Sequence, residues 1–212
     1  SGDTQDVDIV IRHLATAAAK TPIAACGISL GGNVLAKWLG ERGADALTYV
    51  QRAAMVSVPY DLGAGSRFLE RGFSQLYVRH FLATLRAKAL AKLQQYPDAF
   101  DRGRTMAART FWEFDDAVTA PLHGFACADD YYQRSSSAQY LRDIRVPTLA
   151  LSALDDPIVP LESTENVIQA AKTNPSITTH VTQRGGHVGW VEGSFWPIKY
   201  YMEGTVVEFL AR

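Results

Sequence analysis

The chain of 212 residues is 47% hydrophobic, 20% charged and 10% aromatic, close to the average of globular proteins. That composition excludes a disordered tail, a collagen-like repeat and a coiled coil. Twenty-one basic residues against 22 acidic ones leave a net charge of −1, so no global field draws the protein to nucleic acid or anionic lipid.

The start, Ser1-Gly2-Asp3, has neither the basic nor the apolar region of a signal peptide. Residues 4–19 then place Val7, Val10, Ile11, Leu14 and Ala18 at helical spacing, with Asp3 or Thr4 as a cap. Residues 22–28 read as a short strand apolar on both faces, the kind found in sheets covered by helices on both sides. A second helix is predicted over 30–39, ending near Gly40 or Gly43, and another buried strand over 53–58, ended by Pro59. Beyond a long intervening segment, strands are predicted over 147–153 and 177–182, with helices over 162–172 and 197–210. Strands alternating with helices predict an α/β fold with a mostly parallel sheet and helices on both faces.

The segment between Val58 and Pro147, about 85 residues, is too long for an ordinary loop and is expected to carry its own structure. Residues 66–95 are helical in pattern, with Leu69, Phe73, Leu76, Leu82, Leu85, Leu90 and Leu93 on or near one stripe. An aromatic cluster, Phe111-Trp112-Glu113-Phe114, precedes a turn-rich stretch through Tyr131-Tyr132 and Ser135-Ser136-Ser137. The expected organisation is therefore a core from 1–60 and 146–212, with 61–145 inserted as a helical cap over the strand ends. No run approaches 18 uncharged apolar residues, so no membrane-spanning helix is expected. Cys26 and Cys127 are too few for a disulfide framework and favour a cytoplasmic setting.

The strongest local signal is Gly27-Ile28-Ser29-Leu30-Gly31, between a predicted strand and a predicted helix. By chance alone, roughly one chain of this length in fifteen carries the pattern, and the strand and helix around it cut that further. A serine on such a turn is held on a strained backbone, its Oγ clear of the sheet and the Leu30 amide directed at a developing oxyanion. The bland alternative is that Gly31 and Gly32 only let a helix pack closely on the sheet. A serine hydroxyl needs a base. Of five histidines, His13 and His80 fall in predicted helices, His180 in a strand and His123 in the insert; each has an adequate structural explanation. His187 differs, because Arg184-Gly185-Gly186-His187-Val188-Gly189 is a glycine-rich turn after the last predicted strand. Asp155 and Asp156 stand just past the strand over 147–153, as a turn pair or as the carboxylate that orients a base. The order Ser29, Asp155 or Asp156, His187 is that of the α/β-hydrolases, and all three follow the carboxyl ends of strands.

The segment Ser1-Gly2-Asp3-Thr4-Gln5-Asp6-Val7 and the run Gly27-Ile28-Ser29-Leu30-Gly31-Gly32-Asn33-Val34-Leu35-Ala36-Lys37-Trp38-Leu39-Gly40 resemble the YheT-type branch of the α/β-hydrolase superfamily. So do Glu113-Phe114-Asp115-Asp116, Pro121-Leu122-His123-Gly124-Phe125, Asp130-Tyr131-Tyr132, Asp155-Asp156-Pro157 and Gly185-Gly186-His187-Val188-Gly189. The resemblance implies a carboxylic-ester hydrolase fold with Ser29 as nucleophile and His187 as base. It places the acid on Asp156, four residues before the proline of an Asp-x-x-Val-Pro stretch, with adjacent Asp155 as the alternative. In that family several strands and a His-Gly or glycine-rich oxyanion loop come earlier, and nothing before Ser29 matches them. The chain thus resembles the C-terminal two-thirds of a hydrolase. The strand over 22–28 is expected at an unpaired sheet edge, without the second oxyanion donor, a deficit of about 10²–10³ in rate.

The reading that follows is a serine-dependent ester hydrolase acting through an acyl-enzyme on short- to medium-chain acyl esters, with Leu30 N–H in the oxyanion hole. An alcohol in place of water would make the same residues an acyltransferase. A dinucleotide site at Gly27-x-x-x-Gly31-Gly32 is disfavoured by Asn33 at the third glycine position. No His-Glu-x-x-His or Cys-x-x-Cys occurs, so neither metal nor cofactor is expected. Six basic residues, Arg67, Arg71, Arg79, Arg86, Lys88 and Lys92, against Glu70 alone read first as a solvated helix face. Contact with an anionic membrane or a partner is the alternative.

Overall fold

The short apolar runs become four parallel strands, β1 (Ala24–Ile28), β2 (Arg52–Val56), β3 (Thr148–Ala153) and β4 (Ile177–Thr182), in the order β1-β2-β3-β4. The computed structural model describes residues 4–19, 21–193 and 199–212, so Ser1 to Asp3 and the start of the helix predicted over 197–210 lie outside the described residues. The helices are, in chain order, α1 (Gln5–Ala17), α2 (Leu30–Arg42), α3 (Leu62–Leu69), α4 (Gln75–Gln95), α5 (Arg102–Ala107) and α6 (Phe111–Phe114). After these come α7 (Ala120–Leu122), α8 (Ala128–Ser135), α9 (Leu161–Thr173) and α10 (Tyr201–Leu210). A two-stranded antiparallel ribbon, β5 (Val191–Glu192) with β6 (Lys199–Tyr200), precedes α10. The chain divides into two units, Ser1–Asp61 with Ser136–Arg212, and Leu62–Ser135.

In the first unit the period-two alternation of strand side chains sorts the core onto two faces. Ala53, Met55 and Ala150 point to one face, where Leu35, Trp38 and Leu39 of α2 and Val167 of α9 meet them. Ala54, Val56, Leu149, Leu151 and Ala153 point to the other, against Trp190 and Val206. Both faces of β2 and β3 are therefore dry, which explains why these strands read as unbroken apolar runs. Each large side chain so buried contributes roughly 1.5–3 kcal/mol, and Trp38 and Leu39 make α2 the best-anchored helix of this face. The indole N–H of Trp38 donates to Asp8 of α1, which also pairs with Arg42, so α1 is held against α2. β1 pairs on one side only among the described residues, and Ala24, Cys26 and Ile28 are exposed. The 3₁₀ segment Ala138–Asp143 packs on α2 so closely that Gly40 has no room for a side chain beside the Tyr140 carbonyl.

In the second unit the helical pattern over 66–95 is split. Gly72 adopts φ 56°, a backbone conformation that costs glycine little, and it ends the run between α3 and α4. α4 buries Val78, Leu82 and Ala89. Arg86 is half-buried and its guanidinium donates to the Ala108 carbonyl, while Arg67, Arg71, Arg79, Lys88 and Lys92 are exposed. A capping box, Thr110 with Glu113, starts α6. The helix then continues through a π turn, Asp115–Thr119, into α7, and Tyr131 and Tyr132 lie in α8 rather than in turns. Inside this unit the Asp115 carboxylate accepts from the Thr119 hydroxyl and, at 2.8 Å, from the Tyr132 hydroxyl. Burial pushes the Asp115 carboxyl above the usual carboxylate range, only partly offset by those two hydroxyl donors.

Candidate active site

Ser29 occupies the residue between β1 and α2 with φ 52° and ψ −125°. A non-glycine residue at positive φ costs about 1–3 kcal/mol and persists only where the surroundings fix it. Here the Ser29 N–H donates to the Val56 carbonyl at 2.8 Å, and the Ser29 carbonyl accepts from Gly32 and Asn33 as the first bonds of α2. The turn is possible because its backbone segments touch. A Cβ at Gly27 would lie 2.7 Å from the Gly31 carbonyl oxygen, and one at Gly32 would lie 2.3 Å from Val58 Cγ2. Gly31, by contrast, has open space on that side. Close helix packing is therefore the work of Gly32 and Gly27, and the bland reading of the motif covers Gly32 but not Gly31. The amides of Leu30 and Gly31 sit at the first two positions of α2, where the helix supplies no acceptor and its dipole presents positive charge.

Asp156 follows β3 in a tight turn. Its Oδ1 accepts from the amides of Ile158 and Val159 at 2.8 and 3.0 Å, which fixes the carboxylate. Oδ2 then faces His187 Nδ1 at 2.9 Å, with only 4% of the aspartate side chain and 15% of the imidazole exposed. This leaves Nε2 as the ring nitrogen open for proton transfer. The adjacent Asp155 points elsewhere, its Oδ1 accepting from the amides of Gly185 at 2.9 Å and Gly186 at 2.8 Å. Between the two aspartates left open by the sequence, the one bonded to the imidazole is Asp156.

Ser29 and His187 are tied to consecutive residues at the end of β2: Ser29 to Val56, and the His187 carbonyl to the hydroxyl of Ser57. Both thus belong to the carboxyl rim of the sheet. Among the described residues no hydrogen bond joins the Ser29 hydroxyl to the imidazole, an arrangement common before substrate binds. The remaining histidines have other settings. His13 and His80 are exposed, His123 is exposed at the end of α7, and His180 bonds the Tyr201 hydroxyl at 2.6 Å. Sequence reasoning passed over Ser57, which sits at φ 50° and is 1% exposed. It also passed over Trp190, whose Nε1 donates to Thr182 Oγ1 at 2.8 Å while its ring lies against Gly185. Neither belongs to a motif, and their partners are remote in sequence. Among the described residues no group of three His, Cys, Asp or Glu side chains is placed to hold a metal ion.

Comparison with known proteins bears on this site. Residues 4–193 match the family model described as Hydrolase_4, serine aminopeptidase S33. YheT of Escherichia coli is 36% identical over 212 residues, covering 99% of this chain and 61% of that protein. The phospholipase ABHD3 of Mus musculus is 32% identical over 98% of this chain and 50% of its own length. A monoacylglycerol lipase of Saccharomyces cerevisiae is 31% identical over 89% of this chain and 42% of its own. The chain therefore spans between about two fifths and three fifths of these relatives. A Pyrococcus furiosus esterase of known structure superposes over 100% of this chain and 62% of its own with a TM-score of 0.57 at 15% identity, a likeness of fold.

Proposed function

Because this chain belongs to the serine aminopeptidase S33 family of α/β-hydrolases, we propose that it carries the catalytic residues of a serine-dependent carboxylic ester hydrolase acting on short- to medium-chain acyl esters. The observation that carries the proposal is the His187 Nδ1 to Asp156 Oδ2 bond of 2.9 Å, made by a carboxylate already fixed by two amides. A histidine so held keeps one tautomer and one orientation, which is what a base for a serine nucleophile needs. In the proposed reaction His187 Nε2 takes the Ser29 proton as Oγ attacks the ester carbonyl. The Leu30 amide receives the developing oxyanion. Collapse of the tetrahedral adduct expels the alcohol, which leaves with the proton from His187, and the acyl group stays on Ser29. Water, deprotonated by the same imidazole, then releases the acid and restores the serine. Asp156 stabilises the imidazolium in both halves.

Ester rather than amide chemistry is favoured because relatives at 31–32% identity are named for phospholipase and monoacylglycerol lipase activities. The cytoplasmic setting is part of the same proposal and rests on the two free cysteines. No helix among the described residues is long and apolar enough to cross a membrane. The test is turnover of p-nitrophenyl esters of increasing acyl length by the parent and by Ser29→Ala. The expected loss in kcat is on the order of 10⁴–10⁶, with a fluorophosphonate probe attached to Ser29 in the parent alone. Full activity in Ser29→Ala would sink the proposal.

A further inference from the structure

The loop that carries His187 is poor in intrinsic order. Gly185, Gly186 and Gly189 surround the histidine, and Gly186 sits at φ 59°. Glycines lose more freedom on ordering than any other residue, so such a loop holds one geometry only if it is tied down. On its N-terminal side Asp155 accepts the amides of Gly185 and Gly186, and Trp190 closes over Gly185. At the histidine itself the tie is different. The His187 carbonyl accepts the hydroxyl of Ser57, a residue 130 positions away in sequence.

Ser57 is built for this place at a cost. It stands one residue beyond β2, is 1% exposed, and holds φ 50°, a region that a residue with a side chain enters unfavourably. Its amide donates to the Leu151 carbonyl of β3 at 2.9 Å, which continues the sheet and fixes where the hydroxyl points. The preceding residue, Val56, accepts the Ser29 amide. Two consecutive residues of one strand end therefore hold the turn that bears Ser29 and the loop that bears His187. We propose that Ser57 is a positioning residue, one whose hydroxyl sets the separation of nucleophile and base without touching substrate. This inference rests on the ester-hydrolase reading above.

Ser57→Gly separates the hydroxyl from the backbone. Glycine adopts a φ of 50° without steric cost, so the variant removes the tie while relieving the strain. Its thermal midpoint is expected at or above that of the parent. Its kcat for p-nitrophenyl butyrate is expected to fall roughly 10- to 100-fold with KM little changed, the loss typical of a misplaced catalytic group. Amide exchange at Gly186 to Gly189 is expected to speed up, because the loop opens locally. Ser57→Ala, which loses the hydroxyl and keeps the strain, should match it in kcat but not in midpoint. Unchanged loop exchange in Ser57→Gly overturns the inference whatever the ester assay gives, and faster exchange with parental kcat overturns it too. Ser29→Ala in the same assay tests the ester-hydrolase reading separately, so failure of one is distinguishable from failure of the other.

Discussion

Each unit of the molecule buries one conspicuous carboxylate, and the two are solvated in different ways. Asp156 in the sheet-bearing unit is fixed by two backbone amides and turned toward an imidazole. Asp115 in the helical unit is met by two side-chain hydroxyls at a π turn. Two amides fix one oxygen of Asp156 and leave the other to face the imidazole. Hydroxyls satisfy the oxygens without neutralising them, so burial wins and the Asp115 carboxyl is pushed up. The same kind of side chain thus orients an imidazole in one unit and lies within helix packing in the other.

The largest expected effect tests the first half of that contrast. Asp156→Asn keeps an oxygen for the Ile158 and Val159 amides but presents an amide nitrogen to His187, forcing the imidazole into the wrong tautomer. Ester turnover is expected to fall on the order of 10⁴-fold while circular dichroism and thermal midpoint stay near the parent. A variant that keeps a tenth of the activity would remove Asp156 from the chemistry. A smaller effect separates fold from chemistry at the same rim. Gly32→Ala drives a methyl into Val58 and should cost about 1–3 kcal/mol in denaturant unfolding, whereas Gly31→Ala, with open space, should hold the parent midpoint. Equal destabilisation by the two would contradict the packing assigned to the turn.

The smallest effect concerns Asp115. A carboxyl whose folded pKa is raised adds stability below the ordinary carboxylate range and loses it as pH rises through the folded value. Asp115→Asn keeps an oxygen to accept from Thr119, presents an amide N–H that donates to the Tyr132 hydroxyl in place of the second oxygen, and removes that loss. Its midpoint should match the parent near pH 4 and exceed it near pH 7, within about 4 °C, with ester turnover unchanged. A thermal scan at both pH values checks the sign, and a gain at pH 4 alone would reverse the argument.

The legibility of the sequence followed the same division. β3 was readable as a mostly apolar run between turn residues, and β4, in which five of six residues are β-branched, matches its expected range, 177–182. Ser29 and His187 announced themselves through glycines, whose placement reports backbone geometry directly. Asp155 and Asp156 could not be separated, because neighbouring residues share every sequence signal and differ only in which way the turn directs them. The role of Ser57 depends on a contact across 130 residues and leaves no local trace. In the helical unit, periodicity carried through Gly72 where the backbone turned, since an isolated glycine is tolerated in a helix as readily as it ends one. The ribbon of β5 and β6 has two residues per strand, too few for any pattern.

The indole laid over Gly185 has a practical consequence for anyone wishing to reshape this protein. A methyl at that position would sit 2.1 Å from Trp190 Nε1, so any side chain there has to displace the indole. Gly189, whose nearest neighbour would be 3.8 Å away, accepts diversity at little risk and lies two residues from the imidazole.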